Sequence, residues 1–271
     1  MPYHHPRDIE HDLEHTIPPE GGPDSQFLFR VMTTRSLALV ETRPGMTVLD
    51  LGCGLGQDTL ALARTMARGR VLGIEPSNRM IRWGLGERRA GGEHGAAVSF
   101  LRAFGEELPL RGASADALLC KGALDHFIDP GATLAEVERV LKPGGHAVIA
   151  LANYDSLACR LGRALAALRR RWNPAAPVPE HPHYEPPPDH LTRFGYRTIV
   201  ALARPGLALS RVEGVSLLWG FGPWARMIAA LPPPLARLLV AGAGHMARLV
   251  PAWADVIVIR LERRQAEPLP V

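Results

Sequence analysis

The chain has 271 residues, 46% of them hydrophobic, enough to bury a sizeable core in one large domain with or without insertions. Its formal charge of +4 is a mild basic excess, spread along the chain apart from Arg169-Arg170-Arg171, and too small to argue for a nucleic-acid partner. Cys53, Cys120 and Cys159 share no metal-ligand spacing and cannot all pair, the N-terminus has no apolar signal core, and no run of about 18 uncharged apolar residues exists to span a membrane, so a reduced, cytoplasmic setting is expected.

Residues 1–23 are polar and rich in His, Glu and Pro, and read as a flexible arm. His11 and His15 stand four apart, but His11-Asp12 is not a zinc-binding helix pattern, and a solvated face is expected. From Gln26 to Glu41, the positions of Phe27, Val31, Leu37 and Val40 predict a covering helix, ended by Arg43-Pro44-Gly45. The chain is then organised around residues 47–58. Val48 to Leu51 reads as a buried strand, Gly52, Gly54 and Gly56 follow at every second position, and a helix starts near Thr59. Glycines let the backbone approach a ligand, and a helix N-terminus offers unpaired N–H groups. Gln57 occupies the third glycine slot of a dinucleotide fingerprint, which disfavours a nicotinamide dehydrogenase.

Arg70 to Glu75 predicts a second strand closed by an acid. Glu75 lies 19 residues after Gly56, close to the spacing of an acid that takes ribose hydroxyls; the alternative is an acid at a helix N-terminus before Pro76. Val98 to Arg102 reads as a third strand and Ser114 to Cys120 as a fourth. Ligands in open α/β sheets sit beyond the carboxyl ends of the strands, which places Lys121 and His126 where a cofactor and a substrate would meet. A helix over Ala132 to Leu141 is stopped by Lys142-Pro143-Gly144-Gly145, with glycine closing its C-terminus, and His146 to Ala150 makes a fifth strand.

Four stretches resemble the class I S-adenosylmethionine-dependent methyltransferases, and the small-molecule group typified by quinone-biosynthesis C-methyltransferases most of all. Asp50-x-Gly52-x-Gly54-x-Gly56 resembles motif I, and Glu75-Pro76-Ser77-Asn78-Arg79-Met80 the acid-x-S-x-x-M segment, whose methionine packs beside adenine. Ala103 to Pro109 resembles the G-D-A-E-x-L-P loop, with Phe104 in the Asp slot, where it either stacks on adenine or plugs the core. Arg139 to Gly145 is a highly specific match. The resemblance covers about residues 46–150 and implies S-adenosylmethionine as cofactor, held by Asp50, Gly52, Cys53, Gly54, Gly56, Glu75, Pro76, Met80, Phe104, Gly105 and Lys121.

Beyond residue 150, Leu157 to Arg171 reads as a helix with a basic face. Asn173 to Pro188 is Pro-rich and irregular, and its His181 and His183, with nearby His190, lack the partners of a metal site. Arg197 to Ala203 reads as a helix, Leu207 to Val212 begins a sixth strand, and Asp255 to Leu261 is a last strand that the resemblance makes antiparallel beside it. Between them, Leu217 to Trp224 and two helical stretches, Met227 to Leu231 and Leu235 to Val250, form an apolar insert. A lid bearing Trp219, Phe221 and Trp224, a dimer surface, a peripheral membrane contact and a helical pair packed on the sheet are all open.

The expected fold is a doubly wound, mostly parallel, seven-stranded Rossmann-like sheet with an antiparallel last strand and helical caps. The methyltransferase domain would span residues 24–262, with a 46–150 cofactor core, substrate-side insertions at 155–190 and 217–252, and a 263–271 tail. The expected activity is methyl transfer to a small acceptor, hydrophobic if the apolar insert covers it, with no metal. His126 would be the base, with Asp125 beside it to orient the ring, and His190 the alternative base. The competing readings are an S-adenosylmethionine-binding protein that does not methylate and a nucleotide-sensing module.

Overall fold

The computed structural model describes residues 22–91, 95–175 and 182–265. Residues 1–21, with His11 and His15, and His181 lie outside the described residues, as does the chain after 265.

A covering helix, α1 (Pro23–Val40), precedes β1 (Thr47–Leu51), α2 (Gln57–Thr65), β2 (Arg70–Ile74), α3 (Asn78–Ala90), β3 (Ala97–Leu101) and β4 (Ala115–Lys121). After a short 3-10 turn at Leu124–His126 come α4 (Pro130–Val140), β5 (Leu141–Ala152), α5 (Leu157–Trp172) and α6 (Tyr196–Val200). The chain ends with β6 (Leu207–Val215), α7 (Gly222–Ala230), α8 (Pro233–Leu249) and β7 (Val256–Arg263). The seven strands lie in the order β3-β2-β1-β4-β5-β7-β6. Strands β1 to β5 pair in parallel, and β7 runs antiparallel between β5 and β6. The order reverses between β1 and β4, which opens the crevice where ligands of such sheets bind.

Both faces of the sheet are covered, which is why the strands read as continuous apolar runs. Val48, Leu119 and Val148 enter a core shared with Leu28, Met32 and Leu39 of α1 and Leu60 of α2. Their neighbours Leu49, Leu118 and Ile149 enter the opposite core with Leu134 and Val137 of α4 and Ile199 of α6. Successive residues of a strand point to opposite faces, so each strand feeds both cores.

Several helices carry their boundaries in sequence. Ser77 caps α3 by accepting from the Met80 N–H, Asp129 caps α4 ahead of Pro130, and Ser156 caps α5. One expectation about helix ends holds and another fails. α1 ends at Val40, within one residue of its predicted limit, with Glu41 in the left-handed region (φ 47°) and the Glu41 carboxylate paired with Arg260 at 2.7 Å. α4 is not closed by glycine: Leu141 leaves it extended and already pairs with Ala115, and Gly144 (φ 77°) turns the chain inside the irregular start of β5. The insert after β6 also begins its helix earlier than expected, because Pro223 takes a first-turn position that needs no N–H.

Gly56, the N-cap of α2 at φ 77°, sits where a Cβ would lie 2.7 Å from the Phe100 ring on β3. Gly56→Ala is expected to destabilise the fold by about 1–3 kcal/mol in urea unfolding, the usual cost of overpacking. Phe100→Ala in the same chain should recover part of that loss, because the two residues share one contact. Simple additivity would contradict this packing.

Candidate active site

β1 and β2 end side by side, and the glycine turn folds over their carboxyl ends. The N–H groups of Gly52 and Cys53 both donate to the Ile74 carbonyl, at 2.8 and 3.1 Å. The three glycines serve different needs. A Cβ on Gly52 would strike Ala123, and one on Gly56 would strike Phe100. At Gly54 (φ 51°) the nearest atom to a Cβ would be the Met80 sulfur at 3.9 Å, so this is the glycine whose open side faces away from protein.

Glu75 fastens this turn. Its Oε2 accepts from the Gly54 N–H and its Oε1 from the Ser77 N–H, each at 3.0 Å. The carboxylate is buried between the glycine turn and the N-terminus of α3, a site favourable to negative charge. A carboxylate oxygen can accept more than one hydrogen bond, so the chemistry of this clamp is compatible with a vicinal diol. Met80, buried, and half-buried Pro76 follow on the same segment.

Three candidates from the sequence stand behind the turn. The Asp50 carboxylate accepts from the Thr59 hydroxyl at 2.6 Å, tying the end of β1 to α2. Burial, with the Asp58 charge adding to it, pushes Asp50 up to about 7 against the opposing Thr59 bond. Cys53 packs its sulfur near Gly73 of β2, and burial, then the Asp50 and Glu75 charges, raise its thiol well above the ordinary value. Lys121 at the end of β4 makes an ion pair with Asp58 and donates to the Thr33 hydroxyl, both at 2.7 Å, and so ties α1 to the start of α2. Asp58 and Thr33 carry no motif, and the sequence reading missed both.

Phe104 is half-buried, so it is not a fully enclosed plug, and buried Gly105 lies against the Phe127 ring. Glu106 accepts from the Ile128 and Asp129 N–H groups at 2.9 and 3.3 Å, which binds this loop to the one after β4.

That second loop brings the two candidate histidines together. The rings of His126 and His190 meet edge to face with centroids 4.5 Å apart, although 64 positions separate them. Asp125 does not orient His126. Its Oδ2 lies 3.0 Å from His190 Nδ1, which is also 3.1 Å from the Tyr154 hydroxyl. His126 Nδ1 instead faces Asp189, 3.2 Å from its carbonyl and 3.5 Å from its carboxylate. Asp125 is buried, and its other oxygen, Oδ1, has no hydrogen-bond partner among the described residues. A carboxylate only accepts, so the proton of His190 sits on Nδ1 and Nε2 is left as a base. Burial lowers the His190 pKa, opposed by Asp125 and reinforced by His126. Asp125, His126 and His190 also bring one ligand atom each within 4.8 Å of one another, a carboxylate and two imidazoles of a kind that can hold a divalent cation. Tyr154 and Asp189 escaped the sequence reading; Tyr154, two residues beyond β5, could have been found by the rule that ligand groups follow strand ends.

A family model described as a methyltransferase domain matches residues 49–149. An O-methyltransferase of Pyrenophora dematioidea is 30% identical over 204 residues, which are 73% of this chain and 74% of that protein. The chain belongs to the class I S-adenosylmethionine-dependent methyltransferases. A demethylmenaquinone methyltransferase of Clavibacter sepedonicus is 38% identical over 122 residues, 45% of this chain. The match spans 46% of that relative's length, and 34% and 41% of the length of two others. An S-adenosylmethionine-dependent methyltransferase from Aquifex aeolicus shares the fold, with a TM-score of 0.55 at 14% identity over 95% of this chain and all of that one.

The residues of this chain fit the family's cofactor. S-adenosylmethionine needs a diol acceptor, a turn its backbone can approach and an apolar seat for adenine. Glu75, the open side of Gly54, and Met80 with Phe104 would supply them in turn. Gly54→Val and Glu75→Ala are each expected to weaken cofactor binding in calorimetry by at least tenfold, the scale of a lost hydrogen bond to a charged group or of a blocked seat. Wild-type affinity in both folded variants would remove the assignment.

Proposed function

We propose that this methyltransferase moves a methyl group to a small-molecule acceptor, with His190 taking the acceptor's proton. The observation that carries the reading is the buried Asp125 carboxylate 3.0 Å from His190 Nδ1, at the carboxyl edge of the sheet beyond β4. When bound, S-adenosylmethionine supplies a methyl group already activated by its sulfonium, and transfer leaves S-adenosylhomocysteine. The protein's work is to align the acceptor and receive its proton. His190 is preferred to His126 because its carboxylate partner is buried and its ring is the more enclosed, with side-chain exposures of 16% against 39%. Asp125 fixes the tautomer and stabilises the imidazolium that forms, while the Tyr154 oxygen lies 3.1 Å from the same Nδ1. Phe104 stacks on adenine in place of the usual acidic side chain, and Lys121 positions α1 rather than touching the ligand.

Turnover to S-adenosylhomocysteine across a panel of hydroxyl, amine and carbon acids tests the reading. His190→Gln and Asp125→Asn are expected to keep cofactor affinity and lose about 10²–10⁴ in turnover, the contribution of a positioned base. Unchanged turnover would reject the role. The pH dependence follows from the direction of the shift. His190 must be neutral to accept a proton, and its pKa is held below the ordinary 6.5, so log kcat/KM should be level above pH 6.5 and bend downward only below it. A bend at or above pH 7 would contradict the assignment.

The clustering of Asp125, His126 and His190 favours one second reading, in which a divalent cation held there orients an oxygen pair of the acceptor. Chelator treatment separates the two: the base reading predicts unchanged turnover, and the cation reading predicts loss restored by added metal.

A further inference from the structure

The helices after β6 carry a surface that methyl transfer does not use. α8 packs on the body of the protein with a stripe of small residues. Ala236, Val240, Gly244 and Ala247 are buried, Gly244 against the Phe27 ring of α1 and Ala247 against Gly214 of β6. At about 100° per residue, Leu235, Leu238, Leu239, Met246 and Leu249 fall on the other side of the helix within an arc of about 100°. All five are exposed, Leu238 by 67% and Leu249 by 62%. Exposed Met227 of α7 and exposed Trp253, just beyond α8, extend the apolar residues of this region. The helix is thus amphipathic in reverse, with its large side chains outward.

Charge says what covers it. Between Glu213 and Asp255 the chain has no acidic residue, while Arg226, Arg237, His245 and Arg248 punctuate the two helices. Arg237 and Arg248 lie along one flank of the leucine stripe and His245 between them and the leucines on the helical wheel, all three exposed. Arg35 of α1 lies near Arg248, and its own partner is Glu213, at 3.5 Å. In a two-fold contact between copies, the stripe would face itself and set these cations against their own equivalents, with no acid on either helix to neutralise them. An apolar stripe flanked by arginine, with a tryptophan at its end, matches the surface of a bilayer bearing anionic headgroups. No helix among the described residues is long and apolar enough to cross a membrane, so the contact would lie in the surface plane.

We infer that the outward face of α8 docks this protein on an anionic lipid surface. The full chain should sediment with phosphatidylglycerol vesicles, bind phosphatidylcholine vesicles at least tenfold more weakly, and be released from the anionic ones by added salt. The double variant Leu238→Glu, Leu249→Glu should lose at least tenfold in vesicle affinity. Leu168→Glu, which alters an exposed leucine of α5 instead, should bind as wild type. Both leucines of the double variant are exposed, so the fold should survive, which its thermal transition checks. Arg237→Gln with Arg248→Gln gives an independent reading, reducing the preference for anionic over neutral vesicles. Absence of wild-type binding, or equal binding by the double variant, would overturn the inference. A dimer in gel filtration that the double variant dissociates, without vesicle binding, would assign the face to a second copy instead.

Discussion

The site depends on one carboxylate. Glu75 ends the run of β2 and holds the Gly54 and Ser77 N–H groups from opposite sides. A buried charge is tolerable only where hydrogen bonds meet it, and both bonds here come from main chain whose position the fold fixes. The clamp therefore does two things: it gives the glycine turn its shape, and it keeps an acceptor at the point where β1 and β2 leave the sheet. Much else supports those two strands from behind. Thr59 holds Asp50, and Lys121 holds Asp58 and Thr33, so β1, β4, α1 and α2 meet under the turn.

Asp255 plays a comparable part on the other half of the edge. It is buried at the start of β7 and accepts from the Trp219 N–H at 2.9 Å. Burial pushes its carboxyl up to about 7, against the opposing bond from Trp219. Its main chain joins the loop after β6 to the residue that follows β5, its N–H donating to the Ser216 carbonyl at 3.2 Å and its carbonyl accepting from the Asn153 N–H at 2.8 Å, and the two insertions meet where the His183 and Phe221 rings come 6.2 Å apart. Ser216 and Leu218 hold left-handed φ values of 60° and 69°, a backbone cost that this network sustains. Trp224, by contrast, joins Phe27, Ile228 and Val240 in a satellite core and serves the packing of α7 and α8.

What could be read from the chain was local. The glycine turn, Glu75 and the strand runs each lie within a few residues, and the family and sheet topology follow from their order. The end of α4 was less legible, because Leu141 leaves the helix extended and pairs with Ala115 across the chain. The pairing of Asp125 with His190 was hidden for the same reason. Adjacent Asp125 and His126 look like partners in sequence, but neighbours in a 3-10 turn diverge, and the loop from α5 carries His190 back to the first of them. The outward leucines of α8 were visible as apolar residues, but which side of the helix faced protein was decided by small residues whose packing only the fold defines.

The most direct test of the central claim asks whether Glu75 and the ribose hydroxyls act on each other. S-adenosylhomocysteine and its 2′-deoxy analogue would be titrated calorimetrically into the wild type and into Glu75→Ala. The account predicts that removing the hydroxyl costs the wild type roughly tenfold or more and costs the variant little, since a hydrogen bond to a charged group is worth about 1.5–3 kcal/mol. Equal losses in both proteins would show that the hydroxyl and Glu75 do not meet, and would contradict the placement of the cofactor on which the reading of the site rests.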